Sequence, residues 1–189
     1  MTEDWEVHGR AGSITVVCGG MFSGKTEELL RRIRLATYAK RKVALFKPML
    51  DNRYSENEVV SHNRTSLPAI NVARAGDIWR PAQDAEVVGI EEGHFFGPEL
   101  IKVCQDLADA GKRVIVAGLD QDYRGVPFHP MPYLMAIAEH VTKVQAICMV
   151  CGNPASRTQR LSSSTDRIQV GGAEAYEARC RLHHTVEPL

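Results

Sequence analysis

Residues 19–26 read Gly19, Gly20, Met21, Phe22, Ser23, Gly24, Lys25 and Thr26, the pattern GxxxxGK[ST]. The β-branched run Ser13–Val17 precedes it and an amphipathic stretch follows it, so the pattern falls where a strand turns into a helix. Each position has a chemical reason. Glycines let the backbone wrap so that successive N–H groups point inward at a phosphate. The helix that starts there adds the positive end of its dipole. Lys25 supplies a compact cation for the β- and γ-phosphates, and Thr26 a hydroxyl for Mg²⁺. Such a strand–loop–helix unit implies a nucleoside triphosphate ligand.

The rest of the chain suits the sheet that this unit requires. Lys25–Lys40 is expected to be a helix with Leu29, Leu30, Ile33 and Ala36 on one face. Val43–Phe46, Ala69–Ala73 and Ala85–Ile90 read as strands, and the polar stretch Lys47–Leu67 as a long loop. Pro98–Ala110 reads as a second helix, with Leu100, Ile101, Cys104, Leu107 and Ala108 on its apolar face and Gly111 as its C-terminal cap. Val114–Leu119 is near-continuously apolar, as in strands covered on both faces. Met131–Glu139 is expected to be helical and Val141–Ile147 a further strand. This alternation predicts an α/β fold: a P-loop core with a mostly parallel sheet flanked by helices. After Cys148 the texture turns polar and Cys/His-bearing. We therefore expect a nucleotide-binding domain over 12–145 and a small zinc-ribbon-like domain over 146–189. With 189 residues, 44% of them apolar, such a chain buries a core without disulfides.

Two further constellations carry chemistry. The strand expected over Ala85–Ile90 ends in Glu91-Glu92-Gly93-His94-Phe95-Phe96. A phosphate loop needs an acid on a neighbouring strand to hold Mg²⁺, which Glu91 supplies; Glu92 suits a proton acceptor for a hydroxyl nucleophile. On an extended strand the two carboxylates would point to opposite faces. The second constellation is Cys148-x-x-Cys151 with Cys180-x-x-His183. Thiolates and imidazole suit a tetrahedral Zn²⁺ with a filled, structural shell. His184 is an alternative to His183 as fourth ligand. Cys18 and Cys104 fall on a strand and a helix face and read as buried core thiols.

From about Gly12 to His184 the sequence resembles the type II thymidine kinases, a zinc-containing P-loop family. The motifs are GGMFSGKTEELLRR at 19–32, KPMLDNRY at 47–54, SHNR at 61–64, GIEEGHFF at 89–96, GLDQDYRGVPF at 118–128 and IQVGGAEAY at 168–176. The resemblance implies transfer of the γ-phosphoryl of ATP to the 5′-hydroxyl of thymidine or deoxyuridine, with Glu92 as catalytic base. It implies that Glu91 stands where the family normally has Asp for Mg²⁺, and that His94 replaces the usual Gln. Asp51 and Arg53 match an element near the triphosphate, and the resemblance places Gly93 and His94 among the nucleotide-binding residues with them. Met21, Phe95, Leu119 and Phe128 match the apolar lining of the nucleoside pocket, with Tyr123 as its aromatic. The loop between the cysteine pairs matches a lasso that closes over the nucleoside. In that family main-chain groups around Arg167, Ile168, Gln169, Val170 and Gly171 hold the thymine, with Thr158 close by and Tyr176 below it. A homotetramer with feedback inhibition by thymidine triphosphate is also implied.

Charge and hydropathy narrow the alternatives. Lys plus Arg and Asp plus Glu are each 23, whereas a chain that coats nucleic acid usually carries a basic excess. A P-loop ATPase that binds nucleic acid through Arg31, Arg32, Arg34, Lys40, Arg41 and Lys42 is the rival reading, and a non-catalytic nucleotide sensor a third. We expect no nucleic-acid partner. No apolar run is long enough for a membrane span, and the start lacks a secretory pattern; a cytoplasmic location without membrane contact is the expectation. Arg53, Arg157 and Arg160 are candidates for the charge that builds on a transferring phosphoryl group.

Overall fold

The computed structural model describes residues 11–49, 58–60, 66–162 and 172–186. The phosphate-loop pattern does sit between a strand, β1 (Ser13–Gly19), and a helix, α1 (Lys25–Tyr38). The chain continues through β2 (Val43–Pro48), β3 (Glu58–Val60), β4 (Ser66–Pro68), β5 (Ile70–Val72) and β6 (Val87–Ile90). Then come α2 (Glu99–Asp109), β7 (Arg113–Leu119), α3 (Met131–Ile137) and β8 (His140–Lys143). The last elements are the short strands β9 (Ala146–Ile147), β10 (Pro154–Ala155), β11 (Arg157–Arg160) and β12 (Tyr176–Arg179).

Six strands form one sheet in the order β5-β2-β6-β7-β1-β8, and every neighbouring pair is parallel. Side chains alternate across it, so each strand feeds two cores. Ile14, Val16 and Cys18 of β1 join Val114 and Val116 of β7, Val88 and Ile90 of β6, and Phe46 of β2 on one face, beneath α2 and α3. Val17, Leu45, Val87, Ile115 and Ala117 point the other way, onto Leu29, Leu30, Ile33 and Ala36 of α1. Burial on both faces explains why β7 reads as an unbroken apolar run. Gly89 lets α1 approach: a Cβ there would come within 3 Å of both Leu45 and Ile33.

Helix boundaries follow local chemistry. Gly24 caps α1 in the left-handed conformation, at φ 83°, and Gly111, at φ 82°, terminates α2 by donating its N–H to Ala108, as expected for a C-terminal glycine. Two expectations need correction. The stretch Lys47–Leu67 carries part of an antiparallel pair, β3 with β4, rather than loop alone. Val141–Ile147 is two strands in different sheets. β8 pairs with β1 only to Lys143; Val144 N–H then bonds Cys18 O at the sheet edge, and the chain leaves to form β9 with β10.

The short C-terminal strands make two small antiparallel ribbons, β9–β10 and β11–β12. Ala146, Cys148, Ala155 and Ala178 cluster there, and Phe22 of the phosphate loop packs against them. The parallel sheet thus places the ends of β1, β6 and β7 on one edge, with the ribbons beside that edge.

Leu107 is fully buried under the sheet, whereas Lys102 on the same helix is 78% exposed and pairs with Asp106 at 2.8 Å. Leu107→Ala should lower unfolding free energy in urea by about 2–5 kcal/mol. Lys102→Ala should cost no more than about 0.5 kcal/mol. Similar losses from both would contradict the packing of α2 described here.

Candidate active site

The phosphate loop leaves β1 through two positions that only glycine fits. At Gly19 a Cβ would lie 2.3 Å from the Val144 carbonyl oxygen, and Gly24 carries the positive φ of the helix cap. No side chain caps the start of α1, so its N-terminal turn faces the loop rather than a polar side chain. Within the loop, Ser23 Oγ donates to Gly20 O at 2.8 Å and Lys25 Nζ to the same oxygen at 2.7 Å. Lys25 is thus folded back over the loop.

The acids reach this loop from the end of β6. Glu91 N–H bonds Phe46 O of β2, and Glu91 Oε1 accepts from the Thr26 hydroxyl at 2.6 Å. Its other oxygen is buried without a hydrogen-bond partner among the described residues. Burial and the neighbouring Glu92 push the Glu91 carboxyl up to about 8, against the Thr26 hydrogen bond and Lys25. Glu92 does not continue the strand. It turns into the left-handed region at φ 53°, ψ 39°, which costs a non-glycine residue about 1 kcal/mol or more. The two carboxylates therefore do not splay to opposite faces as an extended chain would have them. Both act on Lys25, whose pKa burial lowers while Glu92, Glu91 and Asp120 hold it up. Burial raises the Glu92 carboxyl and Lys25 opposes it, while the Glu92 side chain keeps 40% of its surface exposed.

A tight aromatic wall closes one side. His94 is buried, with its ring 4.1 Å from that of Phe95 and 4.9 Å, edge-on, from that of Phe128. Leu119 N–H donates to His94 Nδ1 at 3.1 Å, and Gly93 beneath has no room for a Cβ, which would meet Val116 at 2.6 Å. The strand ends after β7 add residues that pattern reading passed over. Asp120 is buried and lies 2.8 Å from Lys143 Nζ, and Asp122 caps its own turn by accepting from Arg124 and Val126 N–H groups. The signal for them was present as two aspartates two apart in Gly118–Phe128, directly after an apolar strand.

The ribbons supply the remaining wall. Met21 N–H donates to Thr158 Oγ1 at 3.0 Å, so β11 is bonded to the phosphate loop. Arg160 lies 3.8 Å over the Tyr123 ring and donates to the Tyr176 hydroxyl at 2.9 Å. That stack was not foreseen, because its three members are distant in sequence. Arg157 donates to Gln121; both arginines thus serve the walls of the cleft. Of the residues expected at the nucleoside, Met21 meets Thr158, Phe95, Phe128 and Leu119 meet His94, and Tyr123 and Tyr176 meet Arg160. Asp51, Arg53 and Arg167–Gly171 lie outside the described residues.

Beyond the ribbons, Cys148, Cys151, Cys180 and His183 bring their ligand atoms within 4.8 Å of one another. His183 Nδ1 is 3.2 Å from Cys180 Sγ and 3.8 Å from Cys148 Sγ, and Cys151 and Cys180 sulfurs are 3.8 Å apart. A tetrahedral Zn²⁺ with ordinary bond lengths needs about 3.8 Å between sulfurs and about 3.5 Å between sulfur and nitrogen, so the quartet fits that ion. Burial opposes ionisation of Cys148, yet backbone N–H groups of Cys180, Val150 and Cys151 bring its thiol down to about 6. The choice between the two histidines is resolved by geometry. His184 turns away, with Nε2 2.7 Å from the Tyr123 carbonyl oxygen. Cys18 and Cys104 are buried in the core, where burial raises both thiols.

The thymidine kinase family model matches residues 12–184. A thymidine kinase of a Rhodothermus species is 55% identical over 173 residues, spanning 92% of this chain and 81% of that protein. A thymidine kinase of Bdellovibrio bacteriovorus is 52% identical over 188 residues, spanning 99% of this chain and 92% of that one. Among solved structures, domain III of the Thermotoga maritima replication initiation protein DnaA is similar at a TM-score of 0.42 and 14% identity, over 70% of this chain and 54% of that one, too slight a likeness to bear on function. A match over nearly the whole length, at more than half identity, places this chain in the thymidine kinase family.

Proposed function

We propose that this protein transfers the γ-phosphoryl group of ATP to the 5′-hydroxyl of thymidine, and less readily of deoxyuridine. The observation that carries the reading is the meeting of Lys25, Thr26, Glu91 and Glu92 around one phosphate loop in a chain of this family. Gly19, Gly20, Met21, Phe22, Ser23, Gly24, Lys25 and Thr26 wrap the triphosphate, with Asp51 and Arg53 beside it. The chemistry needs positioning and charge neutralisation, since the transition state is loose and in line. Lys25 leaves Gly20 O to meet the β- and γ-phosphates. Glu92 takes the 5′-hydroxyl proton as the bond from that oxygen to phosphorus forms and the bond to ADP breaks.

Mg²⁺ fits the residues present: the unpartnered Glu91 Oε2 and the Thr26 hydroxyl are hard oxygen donors at the loop. When bound, the ion would neutralise charge building on the β- and γ-phosphates. Glu91 is one methylene longer than Asp, and its 2.6 Å contact with Thr26 supports the reading that the two would share the ion. Zn²⁺ is the structural ion of the Cys148, Cys151, Cys180, His183 quartet, tying down both ends of the segment that includes Arg167–Gly171. Amides of that segment would read the thymine edge, and Tyr123, Phe128, Thr158 and Tyr176 shape the pocket. Residues 12–145 act as the nucleotide-binding unit and 146–189 as the unit that covers the nucleoside. A homotetramer, inhibition by thymidine triphosphate and a cytoplasmic location complete the proposal on the strength of family membership.

In the basic cluster behind the nucleic-acid ATPase reading, Arg31 and Arg32 share Glu28 at 2.7 Å and Arg41 pairs with Glu86 at 2.7 Å, which offsets part of its charge. Among the described residues no helix is long and apolar enough to cross a membrane.

Three measurements test the proposal. With ATP and Mg²⁺, thymidine and deoxyuridine should be phosphorylated and deoxycytidine hardly at all, since the cytosine edge inverts the donors and acceptors that main-chain groups read; the lost methyl of deoxyuridine should cost about 10–200-fold in kcat/KM. Equal turnover of deoxycytidine would sink the amide-edge model. Glu92→Gln should keep ATP affinity while kcat falls by about 10²–10⁴, and wild-type kcat in that variant would move the base elsewhere. Elemental analysis should find zinc at one equivalent per chain, and its removal by a chelator should raise KM for thymidine more than KM for ATP; unchanged thymidine KM in the stripped protein would separate the metal from the nucleoside pocket.

A further inference from the structure

His94, expected on the nucleotide side of the site, has contacts that nucleotide binding alone does not explain. Its ring is sealed from solvent between Phe95 and Phe128. Leu119 N–H donates to Nδ1, so in the neutral ring Nδ1 carries the lone pair and the proton resides on Nε2. Burial and the nearby Lys25 keep the ring neutral. Nε2–H is then a donor inside the protein, and among the described residues it has no aligned hydrogen-bond acceptor. The acceptor in reach is Glu92 Oε2, at 3.2 Å but out of line. Hydrogen bonds of catalytic groups are commonly long or misaligned before substrate binds and tighten afterwards.

From this geometry we infer that His94 is a positioning residue: its Nε2–H, aimed by the Leu119 backbone, holds one oxygen of Glu92 and leaves the other for the nucleoside hydroxyl. The inference rests on the reading of Glu92 as the base. Glu92 needs such a restraint. It sits in a left-handed turn at the mouth of the cleft with 40% of its side chain exposed, and Lys25 competes for it. Without a fixed partner the carboxylate can swing onto the lysine and away from the hydroxyl. With one oxygen held, the free oxygen accepts the 5′-hydroxyl proton while the new oxygen–phosphorus bond forms, the bond from the γ-phosphorus to the bridging oxygen breaks, and ADP leaves with the electron pair. His94 neither gains nor loses a proton in the step.

Two substitutions separate the contacts of the ring. In His94→Asn the side-chain oxygen takes the place of Nδ1 and keeps Leu119 N–H, but nothing reaches Glu92. In His94→Gln the amide nitrogen takes the place of Nε2 and keeps the contact to Glu92. We expect His94→Asn to lower kcat by about 10–100-fold with KM for thymidine and ATP within about twofold, and His94→Gln to stay within about threefold of wild type. In a Glu92→Ala background, adding His94→Asn should cost nothing more, because the residue acts through Glu92. Wild-type kcat in His94→Asn, a loss in His94→Gln as large as in His94→Asn, or a full further loss in the Glu92→Ala background would each overturn the inference. Absence of thymidine turnover in the wild-type protein would instead defeat the kinase reading on which it stands, so the two failures are distinguishable.

Discussion

A single 2.6 Å hydrogen bond, from the Thr26 hydroxyl to Glu91 Oε1, joins the glycine-rich loop and its helix to the acid pair. Thr26 lies in the first turn of α1, and Glu91 is the first residue past β6. In the sheet, β7 separates β1 from β6, so the bond spans a strand and fixes the phosphate loop against the acid pair. It forms because all six strands run the same way. Parallel strands deliver their C-terminal ends to one edge, and a helix start is carried to that edge by the same geometry. The antiparallel alternative would have put Glu91 and Thr26 at opposite ends of the molecule.

The cost of that arrangement is electrostatic. Two carboxylates and an ammonium share a partly desolvated pocket, and each is moved toward its neutral form: both acids upward and the lysine downward. Desolvation is the largest influence on all three, so mutual attraction does not fully offset burial. A pocket in this condition is short of positive charge on the acid side and short of negative charge on the loop side. On the proposed function, nucleoside triphosphate and a divalent cation together would supply both, giving the pair a larger electrostatic return than either alone. The same reasoning explains why Glu91 and Glu92 serve different ends despite being neighbours. Glu91 is anchored by Thr26 and Phe46, and Glu92 is released from the sheet by its left-handed turn.

What the sequence made legible was whatever depends on local pattern. The phosphate loop was readable because its glycines answer to local sterics: Gly24 must cap at positive φ. The apolar face of α1 was readable because period and burial agree at Leu29, Leu30, Ile33 and Ala36. The Cys/His cluster was readable from spacing within each pair. Legibility stopped where a decision required knowing what stands opposite. The end of β8 is set by Val144 turning its N–H to Cys18 O, a contact across more than a hundred residues. Glu92 looked like a strand residue because nothing local marks its turn except the glycine after it. His183 and His184 were indistinguishable by spacing, and only the Tyr123 carbonyl decides between them. The Tyr123–Arg160–Tyr176 stack had no local signature at all.

The ribbons bear on catalysis through contacts that ordinary domain language obscures. Besides Arg157 to Gln121 and Arg160 over Tyr123, three contacts among the described residues run from the ribbons and the segment after β12 to the parallel-sheet core. Thr158 accepts the Met21 N–H inside the phosphate loop, Phe22 of the same loop packs into the ribbon cluster, and His184 meets the Tyr123 carbonyl beyond β7. Two of the three engage the loop that would hold the triphosphate. The third engages the turn that carries the aromatic lining. His184 follows directly on a member of the quartet, so its ring is oriented by whatever fixes His183. A bound ion would therefore stiffen both walls of the cleft without touching either substrate, by restricting where β11, Tyr123 and the phosphate loop sit relative to one another. On the proposed function, an ion held there would act as a constraint on the distance between two substrate-binding surfaces, and so as part of the positioning on which phosphoryl transfer depends.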